Sequence, residues 1–109
     1  MQVYNRSAIT VRPKQPFVDW INALTPESPL TMDKFQVSNT YLTNPDFDNP
    51  DKHIKKYFIE IFEEQLEGMW TDENDWPQTI DFTTFCEWFH YEISDWVQDL
   101  SKKKLKSDF

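Results

Sequence analysis

The sequence predicts an α+β fold, a helix-dominated single domain in the order β-α-β-α-α, with a minimal two-stranded sheet packed on the helices. Three observations carry this expectation. Residues 50–67 and 82–100 place apolar side chains at helical spacing behind good capping residues. Ser7–Val11 and Val37–Thr43 are short β-branched runs with alternating character. The chain's single glycine, Gly68, falls where the first long helix needs an end.

Taken in order, Ser7-Ala8-Ile9-Thr10-Val11 reads as a strand closed by Pro13. Pro16 suits a first helical turn, and Phe17, Trp20, Ile21 and Leu24 follow at helical spacing over residues 16–24, before Pro26 and Pro29. Thr31 is placed to cap a single turn through Phe35. The second strand, 37–43, puts Val37, Asn39, Tyr41 and Thr43 on one face. Asn49-Pro50-Asp51 combines a cap, an N1 proline and an acid at the positive helix end. The helix it starts should run to Glu67, with Gly68 as a left-handed stop. Its apolar residues cover an arc of about 200°, which points to a central helix packed on two sides. Asp81 caps the last expected helix, 82–100, whose apolar stripe spans about 100°. The expected core is Ile9, Val11, Trp20, Ile21, Tyr41, Ile54, Phe58, Ile61, Phe62, Phe85, Phe89, Ile93 and Trp96. Two strands alone are marginal, so their edges invite extension by a partner or a strand-mediated dimer.

A chain of 109 residues with nine Phe, five Trp and four Tyr can build a core without a metal or a disulfide. Cys86 is the only cysteine, which fits a reducing compartment. The opening residues lack the pattern of a signal peptide, and no apolar run is long enough for a membrane span. A cytoplasmic protein with no membrane partner is therefore expected. Net charge is −8 and unevenly placed. Residues 1–100, read as one compact domain, hold seven Lys and Arg against eighteen Asp and Glu. The Lys-rich C-terminal extension, 101–109, holds four Lys against Asp108. An acidic body argues against nucleic acid and favours basic partners, although charge also simply maintains solubility.

Several chemistries are excluded. One glycine cannot build a phosphate-cradling loop, so nucleotide-binding motifs are absent. No cysteine cluster could hold zinc or iron–sulfur. Asp46, Asp48 and Asp51 crowd together, but a calcium loop starting at Asp46 fails at Pro50, Asp51 and Tyr57. His53 and His90 have no partner in an established metal spacing. Cys86 lies among Phe82, Phe85 and Phe89, where burial makes a thiol inert. Acidic pairs such as Glu63-Glu64 and Asp72-Glu73-Asp75 are what an acidic surface produces by chance. No cofactor or metal is expected.

On an unbroken 82–100 helix, Trp88 and Tyr91 would project into a face of Glu87, Glu92, Ser94 and Asp95. Trp88, Tyr91, Glu92 and Asp95 are thus one candidate interaction patch, unless the Trp70–Trp76 loop covers it. Arg6, Arg12 and Lys14 form a weaker candidate anion site, with ion pairing to nearby acids as the competing reading. The run Tyr4–Val11 with Pro13-Lys14-Gln15-Pro16-Phe17 and Trp20 resembles the start of a family of short uncharacterised bacterial proteins. Ile59–Glu64, Trp70 and Trp76-Pro77 extend that similarity over most of the chain. The resemblance implies a bacterial cytoplasmic setting and no activity. The leading expectation is a non-enzymatic acidic module that binds a basic protein partner. The alternatives are a small hydrolase or metal-dependent enzyme using clustered carboxylates with a histidine, and a structural homodimer.

Overall fold

The computed structural model describes residues 2–45 and 49–106. Asp46 and Asp48, and with them the start of the calcium-loop comparison, lie outside the described residues, as do 107–109 of the Lys-rich extension. The elements are β1 (Gln2–Tyr4), β2 (Ser7–Pro13), α1 (Gln15–Leu24), β3 (Asn39–Thr43), α2 (Pro50–Glu67), α3 (Phe82–Trp88), β4 (Phe89–Ser94) and β5 (Val97–Asp99). Short 3₁₀ turns occupy Met32–Phe35 and Glu73–Asp75. The fold is α+β, but its main sheet has three strands rather than two. β2 lies between β3 and β4, antiparallel to both.

The third strand comes from a segment expected to be helical. The last helix ends at Trp88, and β4 begins at Phe89 with no loop between. Phe89-His90-Tyr91-Glu92-Ile93-Ser94 alternates strictly between apolar and polar, a strand period that competes with the helical one. Aromatic and β-branched residues at 89, 91 and 93 suit a pleated surface, and the second edge of β2 pairs with them. Ile9 then faces Ile93 and Tyr41 across its two neighbours. β1 and β5 were not expected. They form an antiparallel ribbon that prolongs the β2–β4 pair. Tyr4 pairs with Val97 and Ala8 with Ser94, so Asn5–Ser7 face only Asp95 and Trp96. That extra residue is a bulge, which bends the ribbon relative to the sheet.

α2 matches its expected limits. Asn49 Oδ1 accepts the Lys52 N–H at 2.9 Å. Gly68 does not act as a left-handed stop: its φ is −62°. The helix instead closes on ordinary right-handed geometry, with the Gly68 N–H bonded to the Glu64 carbonyl at 3.0 Å.

The core lies between the inner sheet face and the helices. Ile9 and Val11 meet Ile54, Ile61, Phe62 and Leu66 of α2, with Phe85 and Phe89 closing one end. Phe17 of α1 joins them. Trp20, Tyr41 and Ile93 are half-buried against this cluster, whereas Trp96 is 64% exposed. The helical period puts Trp96 in the core, but it lies in the two-residue link between β4 and β5. The three indoles nearest the 69–76 loop are tied to backbone or acid: Trp20 Nε1 to Asp75 O, Trp70 Nε1 to Asp75 Oδ2, Trp76 Nε1 to Trp70 O.

Candidate functional site

The expected patch depended on one helical face, and the structure does not bring its four residues together. Trp88 closes α3 with its ring half-buried against Phe17, Trp20 and Phe62. Phe17 and Trp20 of α1 and Phe62 of α2 thus pack on the ring. Tyr91 points to the inner sheet face, near Phe82 and Phe85, and burial raises its hydroxyl pKa. Glu92 lies on the opposite, solvent-facing side of β4, and Asp95 at the bend between β4 and β5.

The anion candidates also separate. Lys14 donates Nζ to the Cys86 carbonyl at 2.8 Å, and its backbone N–H to the Trp88 carbonyl at 2.8 Å. It therefore satisfies the end of α3, where carbonyls have no helical partner. Arg6 lies at the bulge and bonds the Asn5 carbonyl. Arg12 lies on the open sheet face opposite His90. Arg12, His90 and Glu92 line a shallow hollow of about 260 Å³. His53 is buried elsewhere, 2.7 Å from the Thr43 hydroxyl, and burial, reinforced by Lys56, lowers its pKa. Burial pushes the Cys86 thiol pKa up. Among the described residues, no group of three or more His, Cys, Asp or Glu is placed to hold a metal.

A different site emerges between β3 and α2. Among the described residues β3 pairs with β2 alone, so its other edge has no strand partner, and just past its end the Asn44 N–H donates to the Tyr57 hydroxyl at 3.3 Å. α2 runs alongside, presenting Tyr57, Glu60, Ile61 and Glu64 along one face at helical spacing. With Tyr41, Leu42 and Thr43 they line a hollow of about 230 Å³. Ile61 forms a buried floor, Leu42 is 55% exposed, and Glu60 and Glu64 are exposed. A second hollow of about 270 Å³ shares Glu64 and continues past Phe35, Val37 and Asn39 to Gly68 and Met69. Val37 is 82% exposed there.

Glu64 is held at the junction. The Tyr41 hydroxyl donates to Glu64 Oε1 at 2.7 Å and accepts from Gln65 Nε2 at 2.8 Å. Burial drives the Tyr41 pKa well above its ordinary value, against the Gln65 hydrogen bond and with help from the Glu64 carboxylate, so this hydroxyl stays a donor. Five residues of β3 span about 16 Å and the twelve residues 57–68 about 18 Å. The two hollows meet at Glu64 in a groove with an apolar floor, acidic groups on the α2 side and an open sheet edge on the other.

By sequence alone Glu63-Glu64 reads as a chance pair on an acidic surface, and no motif singles out Glu60. The available signal was Leu42, an apolar side chain on the wrong face of a strand, together with the wide apolar arc of α2. Compared with protein families, curated proteins and solved structures, the chain matches none.

Proposed function

We propose that this protein is a non-enzymatic binding module that takes an extended basic segment of a protein partner along β3. The observation that carries this reading is the open β3 edge beside a hollow floored by Ile61 and flanked by Glu60 and Glu64. Strand addition supplies main-chain hydrogen bonds, and alternate side chains of the added strand meet the neighbouring pockets. Leu42, Tyr57 and Ile61 offer apolar contact, while the acids favour Lys or Arg and speed encounter with a basic segment. The net charge of −8 acts in the same direction at longer range.

A peptide alternating Lys and Leu, titrated into the labelled protein, tests this by NMR. Backbone shifts should concentrate in 39–43 and 57–64, weaken strongly with added salt, and vanish for an alternating Glu and Leu peptide. Shifts centred on Trp88 and Glu92, or none at all, would overturn the assignment.

A further inference from the structure

The chain itself carries a segment of the required chemistry. Residues 100–106, Leu-Ser-Lys-Lys-Lys-Leu-Lys, follow β5 as exposed chain outside any helix or strand. They contain four of the eleven Lys and Arg, and Leu105 is 65% exposed. In an extended strand Lys103 and Leu105 project to one side, while Lys102, Lys104 and Lys106 project to the other. Lys103 and Leu105 would lie about 7 Å apart, close to the 5–6 Å spacing of neighbouring side chains along the facing row of α2.

We propose that segment 100–106 of one molecule docks in the β3–α2 groove of a second copy, adding antiparallel to β3. Leu105 covers Ile61, Lys103 lies one turn earlier on α2 beside Tyr57, from where its long side chain reaches Glu60, and the remaining lysines stay solvated beneath the acidic field. This deepens the binding-module reading and rests on it, because it names the occupant of the same groove.

Reach decides between the molecule's own segment and a neighbour's. Asp99 lies opposite Gln2 at the far end of the ribbon, and the groove centre lies near Tyr41, opposite Ile9. Seven strand steps separate those levels, about 23 Å, with two further strand spacings of about 4.8 Å each sideways, because β2 lies between the β5 column and β3. The six residues from Asp99 to Leu105 extend to at most about 21 Å. They also leave β5 heading away from the sheet, because β5 runs antiparallel to β1. A molecule therefore offers its segment to a neighbour, and reciprocal exchange between two copies closes the assembly as a two-fold dimer.

Sedimentation of the full chain over a concentration series tests this. At low salt the mass should rise to twice that of the monomer, and at roughly 1 M salt, where the Debye length is about 3 Å, it should fall back. Leu105→Glu and Lys103→Glu, both at exposed positions, should each weaken association about tenfold or more, equivalent to about 1.4 kcal/mol. Combining Lys103→Glu with Glu60→Lys should restore it. A monomer at every concentration, or a dimer indifferent to Leu105→Glu, overturns the proposal. If the alternating Lys and Leu peptide still shifts 39–43 and 57–64 in that case, only the assignment of the occupant falls. If it does not, the groove reading falls as well.

Discussion

The indole of Trp88 lies 5.6 Å from the Phe62 ring, 6.1 Å from Trp20 and 6.2 Å from Phe17, centroid to centroid. Such a ring joins α3 to α1 and α2, and its loss leaves a cavity bounded by three aromatics. Trp88→Ala should therefore destabilise the fold by about 3 kcal/mol, measured by urea denaturation. A loss under about 0.5 kcal/mol would mean the ring contributes little to packing. His53 carries a second prediction. Burial holds its folded pKa below the ordinary 6.5, helped by the Lys56 charge. Below pH 6.5 the unfolded chain takes up the proton more readily than the folded one. The stability contributed by the neutral ring is present above pH 6.5 and is lost as pH falls through the window beneath it. Thermal midpoints should fall with acidification in that window. His53→Gln should flatten the slope, and an unchanged slope would assign it to other groups. The helix caps were legible because cap chemistry is local: Asn49 and Asp81 each accept a backbone N–H three residues on, at 2.9 and 2.8 Å. Trp88 was not legible, because whether an aromatic is covered depends on α1, more than sixty residues earlier in the chain.

At the level of elements, α1, α2, β2 and most of β3 followed from periodicity. α2 is long enough for its 3.6-residue pattern to be unambiguous, and Pro50 and Gly68 bound it even though Gly68 adopts ordinary helical geometry. The failure at 89–99 has a definite physical origin. Phe85, Phe89, Ile93 and Val97 recur every four residues, while Phe89, Tyr91 and Ile93 recur every two. Both patterns bury Phe89 and Ile93, so local sequence could not separate them. The decision lies with the unpaired edge of β2, a tertiary partner that overrides helical propensity. The candidate groove was missed for a related reason. It requires β3 to be an edge strand, and strand order is a property of the sheet and not of the strand. Once β4 takes one side of β2, β3 is left on the other with its outer edge beside Glu60 and Glu64.

Over the whole molecule, charge is divided between an acidic body and a basic segment, and the sequence showed that division directly. What it could not show is where the segment emerges. The β1–β5 ribbon carries it to the level of Gln2, away from Tyr41 and the groove. The order β3-β2-β4 has a further consequence, for the moment at which the fold can exist. β2, at residues 7–13, is the middle strand, and its second neighbour begins only at residue 89. α3 has seven residues, too few to persist alone, and its terminal carbonyls are satisfied from Lys14. A chain emerging from the ribosome therefore holds its central strand half-paired until residues 89–94 have been made. Ribosome-tethered lengths ending before residue 89 should remain open to protease, and resistance should appear in a single step once β4 and β5 are out. Resistance that accumulated gradually with length would mean that β2, β3 and α2 can stand without the last strand. Such a protein spends its synthesis as an unfinished sheet, and cells that make it quickly would need to shield that edge.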